Sequence, residues 1–365
     1  MKKTLFYANI DCSEAGYTRK IEGMCDAFNK NGFDVKLLIK RKSPVKNSCN
    51  YRDIIYSKYT ITSYIKFFYL TLLSKYKLIY VRHPRLNFIY IFILLCAKFA
   101  NKKSSIVHEI PTYPYDYEWE GDSFIELVKK NMDKKCRKYL KHAVDIVTII
   151  GGTSSNKVFG IKVIEIENGV NIKDYQPYKN PFEKKTINLI GVGNISLRHG
   201  YDRIITSISE FPESKYQINF YIVGSGPELA NLKALSDNFQ ITNTKIFFCG
   251  SAQGAKLDEI FSRSHIAVGN LGFHRLGVNC SSALKEREFM ARGIPYIAVT
   301  IDNRFNKKKG CIFEVDGSDS QICMKSIIFN YQNNCNKDSV NYMRSFAKHK
   351  LNWELSLLSL FKELS

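Results

Sequence analysis

Short β-branched and aromatic runs alternate with longer amphipathic stretches along this 365-residue chain, and such alternation restricts it to parallel sheets joined by helical crossovers. The first series places strands at Thr4 to Ala8, Val35 to Ile39, Leu78 to Val81, Ile106 to Glu109 and Ile146 to Ile149, with helices near 18–30, 60–75, 86–100 and 122–142. A second series follows Asn168-Gly169-Val170, with strands at Ile187 to Val192, Ile218 to Val223, Lys245 to Cys249, Ile266 to Val268 and Tyr296 to Val299. Two such series in tandem predict an α/β chain of two doubly wound, Rossmann-like domains, residues 1–168 and 169–349. The amphipathic end, about 350–365, is expected to pack back on the first domain. Ligands of such sheets bind outside the carboxyl ends of the strands, so a cleft between the domains is the expected active site.

Composition adds a partner class. With 45% apolar and 24% charged residues the chain reads as a soluble globular protein. Its net charge of +20 favours anionic partners. From Arg41 to Lys103 there are 13 basic residues against the single acid Asp53, together with 13 aromatics and a helical apolar pattern at Ile61, Tyr64, Ile65, Phe68 and Leu72. That segment, 41–103, is expected to meet an anionic membrane surface. The apolar run Phe88 to Ala100 spans about 20 Å as a helix against a hydrocarbon core of about 30 Å, so it is expected to be a buried helix and not a membrane span. The ten cysteines form no CxxC pair and no zinc-finger spacing, and are expected to be buried and free. The N-terminal run reads as a first strand, hence a cytoplasmic protein, peripheral at the inner face of the membrane.

Several chemistries lose their signatures. Gly191-Val192-Gly193-Asn194 follows a strand, but the next glycine is Gly200, which does not complete a dinucleotide fingerprint. There is no GxxxxGK[ST], HExxH or GxSxG, and no nucleic-acid recognition motif, so no nucleic acid partner is expected.

Five pieces in register carry a resemblance: Asn168-Gly169-Val170-Asn171; Gly193-Asn194 through His199-Gly200-Tyr201-Asp202-Arg203; Ile222-Val223-Gly224-Ser225-Gly226-Pro227; Phe248-Cys249-Gly250; and Ser282-Ala283-Leu284-Lys285-Glu286-Arg287-Glu288-Phe289-Met290-Ala291-Arg292-Gly293-Ile294-Pro295. Their order and spacing resemble GT-B glycosyltransferases, most closely the retaining family 4 type of bacterial surface-polysaccharide clusters. The first half resembles them more thinly, through Gly16-Tyr17-Thr18-Arg19-Lys20 and Val107-His108-Glu109-Ile110-Pro111.

Ser281 and Ser282 precede a helical run and read as N-cap candidates, with helix N–H groups placed for a diphosphate. The resemblance implies that Lys285 and Glu288 contact phosphate and ribose, with Leu284 beside them. It further implies that Gly16, Asn194 and His199 contact the nucleotide sugar and that Arg198 is the nearest permanent cation. His108 and Glu109 end a strand of the first domain and are catalytic candidates that would hold the acceptor hydroxyl or the sugar. Three positions depart from the family pattern: Cys280 stands where a first glutamate is usual, and Asn194 and His199 replace an arginine and a lysine. The implied activity is transfer of a hexose from a UDP- or GDP-sugar to a lipid-linked saccharide in capsule, O-antigen or exopolysaccharide synthesis. It implies retention, no metal and no cofactor. A catalytically silent GT-B partner subunit is the alternative.

Overall fold

The computed structural model describes residues 1–11, 15–40, 54–82, 85–116, 123–153, 155–179, 185–211, 216–239, 244–277 and 282–365. The chain forms two compact units, Met1–Gly169 with Trp353–Ser365, and Val170–Asn352.

The first unit contains the strands β1 (Lys2–Asp11), β2 (Phe33–Lys40), β3 (Ile54–Ser57), β4 (Leu78–Arg82), β5 (Ser105–Ile110), β6 (Ile146–Ile150), β7 (Lys157–Val158) and β8 (Ile161–Ile166). They pair in the order β3-β2-β1-β4-β5-β6-β8-β7, parallel throughout except for β7 on β8. The crossovers carry α1 (Ala15–Lys30), α2 (Thr60–Leu73), α3 (Phe88–Ala100) and α4 (Phe124–Leu140). Leu5, Phe6, Tyr7 and Ala8 of β1 are all fully buried, as a central parallel strand covered on both faces requires. The short β3 and the alternating Ile-Lys-Val-Ile-Glu-Ile of β8 were not foreseen from sequence, because neither forms a long apolar run.

Helix α3 departs from the expectation of a buried helix. Asn87 caps it, its side chain accepting from the Tyr90 N–H at 2.9 Å. Tyr90, Ile91, Leu94 and Ala97 face the core, while Phe88, Phe92 and Phe99 stand in solvent. The run is apolar all round, but only one side has a sheet to cover.

The C-terminal segment returns to the first unit because Trp353 fits into room left by two glycines. A Cβ on Gly23 would lie 2.1 Å from its indole nitrogen, and one on Gly169 would lie 2.6 Å from its ring. Phe361 then packs edge-on against Phe28, with centroids 5.1 Å apart.

The second unit is built on β9 (Thr186–Val192), β10 (Gln217–Val223), β11 (Thr244–Gly250), β12 (Ile266–Val268), β13 (Tyr296–Ala298) and β14 (Ile312–Glu314), in the parallel order β11-β10-β9-β12-β13-β14. Its helices are α5 (Tyr201–Ser209), α6 (Leu229–Asp237), α7 (Ala255–Arg263), α8 (Leu284–Arg292), α9 (Met324–Asn334) and α10 (Lys337–Lys350). The core is dominated by isoleucines such as Ile187, Ile190, Ile204 and Ile218, packed against Phe220 and Phe289. Gly293, with φ +72°, ends α8 in the left-handed conformation before β13, as the Gly293 and Pro295 pair predicts.

One expectation about the cysteines is corrected. Cys311 and Cys335 are joined by a disulfide that ties the start of β14 to the end of α9. Two thiols separated by 24 positions have no local signature, so the pairing was not legible in sequence. Cys25 and Cys136 are buried and outside any disulfide, as expected, whereas Cys323 is free and exposed.

Candidate active site

Strand order reverses between β9 and β12, and the carboxyl ends at such a reversal are where open α/β sheets take ligands. The loop leaving β9 is moulded by the turn after β10. Gly193 and Ile195 donate N–H bonds to Val223 and Ser225 carbonyls at 3.0 and 2.7 Å. A Cβ on Gly224 would stand 1.8 Å from the Gly193 carbonyl oxygen, and its φ of +140° also demands glycine. The Gly224-Ser225-Gly226 piece therefore shapes the loop above β9 and is not itself a phosphate cradle.

Each residue of His199-Gly200-Tyr201-Asp202-Arg203 has a place in this construction. His199 Nδ1 is tied to its own turn, accepting from the Ser196 N–H at 3.1 Å in one tautomer and donating to the Ser196 carbonyl at 3.2 Å in the other, and Nε2 points to Gly193. That nitrogen lies 2.6 Å from where a Gly193 side chain would begin, so only glycine admits the ring. Burial pushes the His199 pKa down to about 2, helped by the Lys285 and Arg198 cations, which keeps the ring neutral. Tyr201 is buried over Gly191, and its hydroxyl donates to the Val192 carbonyl at 3.2 Å while accepting from Lys285 Nζ at 3.2 Å. The ammonium also lies 5.2 Å from the Tyr201 ring centroid. Asp202 pairs with Arg275 at 2.6 Å, and buried Arg203 donates to the carbonyls of Leu271, Asp316 and Ser320. These last two hold the loop between β12 and α8 in place.

Helix α8 begins at this edge. Its N-cap is Ala283, with no side chain capping it, and not Ser281 or Ser282 as the sequence suggested. Ser282 is buried and its hydroxyl accepts from Arg287 at 2.9 Å, which draws it away from the helix start; Ser281 lies outside the described residues, as does Cys280. Leu284 is the first helical residue and half-buried. Lys285 has its pKa pushed well below the ordinary lysine value by burial, with Glu286 drawing it up and Arg198 pressing it down. Asn194 is exposed on the same loop, and Arg198 is half-buried.

Two groups here escaped the sequence reading. Glu286, given no role in the sequence reading, tucks its carboxyl under the end of β12, where Oε1 accepts from the Asn270 N–H at 3.2 Å and burial raises its pKa. Asn270 Oδ1 is buried without a partner among the described residues. Gly269 is the available sequence signal, since a Cβ there would sit 2.8 Å from Glu286 Oε1. Glu288 lies one turn along α8 on another side. Arg292 holds its Oε1 at 2.7 Å and is itself paired with Asp258 of α7 at 2.6 Å, leaving Oε2 without a partner among the described residues.

The first unit places its candidates differently. His108 and Glu109 are neighbours on β5, so they project to opposite faces. His108 is 2% exposed, its Nδ1 paired with the Tyr90 hydroxyl of α3 at 2.9 Å, and burial lowers its pKa to about 4. Glu109 is fully buried and accepts from Lys20 Nζ and the Tyr80 hydroxyl, each at 2.9 Å, and from Arg82. Lys20 donates as well to Asn168 Oδ1 at 2.8 Å, and burial together with Arg82 presses its pKa down. Arg82 was missed in sequence, although a lone cation closing the apolar run Leu78 to Val81 marks it. Gly16 stands near the start of α1, and a Cβ there would meet no atom within 4 Å. Among the described residues no cluster of three His, Cys, Asp or Glu side chains is placed to hold a metal.

These features agree with the similarities to known proteins. Residues 173–303 match the family model "Glycosyl transferases group 1". No curated protein matches the chain in sequence. Among solved structures it is similar to the catalytic domain of starch synthase IV from Arabidopsis thaliana, bound to ADP and acarbose, with 11% identity, TM-score 0.65, and coverage of 100% of this chain and 98% of that one. An α-glucosyltransferase bound to UDP and a 13-mer DNA shares 13% identity at TM-score 0.66, covering 100% and 99%. The pneumococcal O-GlcNAc transferase with UDP and GlcNAc shares 12% at TM-score 0.63, also over 100% and 99%. Residues 173–303 thus resemble a group 1 glycosyl transferase domain, and the chain's fold is the two-sheet α/β architecture of GT-B glycosyltransferases.

Proposed function

We propose that the protein is a nucleotide-sugar-dependent glycosyltransferase, moving a hexose from a UDP- or GDP-sugar to a lipid-linked saccharide acceptor in surface-polysaccharide synthesis, with retention of configuration. One observation carries the reading. At the strand-order reversal, beside the loop that leaves β9, the neutral His199 ring, Lys285 seated on Tyr201 and Arg198 act on one another electrostatically, and Lys285 stands in the first turn of α8, whose start has no side-chain cap among the described residues. The resemblance to the retaining family 4 type supports the stereochemistry and the acceptor class.

The chemistry follows from charge. As the bond from the sugar to the nucleotide breaks, negative charge grows on the leaving diphosphate, and fixed donors aimed there act most strongly in the transition state. Arg198, Lys285, His199 and the helix N–H groups supply that stabilisation without calling for a metal. In the same-face route, the leaving phosphate oxygen takes the acceptor hydroxyl proton as the new bond to the anomeric carbon forms. Glu286 and Asn270, beside this cluster, are assigned to the hydroxyls of the transferred sugar, a role supported by the buried Asn270 Oδ1 that has no partner among the described residues. Oε2 of Glu288 accepts from the ribose hydroxyls, with Arg292 fixing the carboxylate. His108 and Glu109 are assigned as positioning groups of the first domain, acting from its interior.

Glu288→Ala is expected to weaken UDP or GDP binding roughly ten- to a hundredfold, by removing charge-assisted bonds worth about 1.5 to 3 kcal/mol. Calorimetric titration checks this, and unchanged affinity would take Glu288 out of the site. The depressed Lys285 pKa makes a second prediction. Because the free site disfavours the ammonium and a bound diphosphate favours it, binding should take up a proton, and affinity should fall as pH rises through the pKa of the free protein. Binding heats measured in buffers of different ionisation enthalpy, from neutral to alkaline pH, report the uptake; none anywhere across that range would mean that the bound phosphates do not favour the Lys285 ammonium.

A silent partner subunit is the second reading, motivated by Cys280 at the position of the family's first glutamate. Turnover by the purified chain, retained in Cys280→Ala, separates the two.

A further inference from the structure

We infer that the first unit docks on an anionic lipid bilayer through the outer faces of α2 and α3. The surface differs from the one expected in sequence, since α3 is half solvent-facing, and the reading is independent of the sugar-transfer chemistry. Two adjacent helices each turn a stripe outward: Ile61, Ile65 and Tyr69 on α2, and Phe88, Phe92 and Phe99 on α3. Their exposures run from 50% to 75%, whereas the opposite stripes of both helices are buried. Phe68 of α2 stacks on Phe92 of α3 with centroids 6.5 Å apart, which makes the two stripes one surface. Contiguous exposed apolar surface of this kind needs a covering partner.

Charge chooses the partner. Residues 54–104 contain no Asp or Glu. Exposed Lys58 and Lys102 lie over the rings of Tyr59 and Phe99 at 5.4 and 5.2 Å, and Lys66 is exposed on α2. Aromatic side chains interleaved with lysines whose stems run along them suit the headgroup boundary, where rings enter and ammonium groups meet phosphate. Arg85 and Lys98 are already paired with Glu126 and Asp145, but Lys58, Lys66 and Lys102 have no acid partner among the described residues, so a second copy of this chain would set like charges against one another and an isologous dimer is disfavoured. No helix among the described residues is long and apolar enough to cross a membrane, and the two helices would lie in the interface plane.

Co-sedimentation of the full chain with phosphatidylcholine vesicles, with and without phosphatidylglycerol, tests this. Binding is expected to need phosphatidylglycerol and to weaken as salt rises. Phe88→Ser with Phe92→Ser should lower partitioning roughly tenfold or more, and Lys66→Glu with Lys102→Glu at least as much. All four side chains are exposed, so circular dichroism and nucleotide affinity should match the parent chain. Equal binding to neutral vesicles, variants that sediment like the parent, or no vesicle binding at all would each overturn the inference. So would a self-association abolished by the phenylalanine pair in a chain that ignores vesicles.

Discussion

Lys285→Ala is expected to lower the rate of sugar transfer about a hundred- to a thousandfold, the loss typical when one fixed donor to a developing anion is removed. Nucleotide affinity should fall much less, because the free site holds this lysine at a depressed pKa and the demand for its charge is greatest as the diphosphate departs. Lys285→Arg should recover little. The ammonium is seated on the Tyr201 hydroxyl and ring, over Gly191, and a planar fork does not fit that seat. Steady-state kinetics separate the outcomes: a rise in KM with kcat unchanged would show that Lys285 only binds.

Glu109→Ala should destabilise the first unit by about 3 to 5 kcal/mol, because Lys20 and Arg82 would be left buried without their carboxylate. Thermal unfolding should then come roughly 10 °C lower. Glu109→Gln keeps the shape and the Tyr80 contact but removes the charge, and should lie close to the alanine variant. Unfolding like the parent in both would show that the network does not organise the carboxyl ends of β4 and β5.

Much of this architecture was legible because its strands are apolar runs at parallel-sheet spacing, and the helices near 60–75 and 122–142 emerge as α2 and α4 within a few residues. The strands missed are those that carry little apolar signal: four residues in β3, two in β7, three in β14, and the alternating β8. Site residues divide along a similar line. His199 and Lys285 stood out through the family resemblance, with Gly193 and Tyr201 in the pieces that carry it, and the structure adds why glycine is required at 193. Glu286 and Glu288, two positions apart on one charged helical turn, look alike in sequence. Only the side of α8 from which each projects separates them, one under β12 and the other towards α7. Ser282 misled for a related reason, since its hydroxyl had an equally local partner in Arg287, and the backbone starts the helix one residue later. The same limit hid Lys20 and Arg82, whose partner Glu109 lies 89 and 27 positions away.

The most direct measurement is a screen of UDP- and GDP-sugars for release of nucleoside diphosphate by the purified chain, with membrane extract supplying the acceptor. The expected result is acceptor-dependent release from one donor, strongly reduced in Lys285→Ala. A chain that binds no sugar nucleotide, and releases none until a second GT-B protein is added, would contradict the assignment and leave it a silent partner.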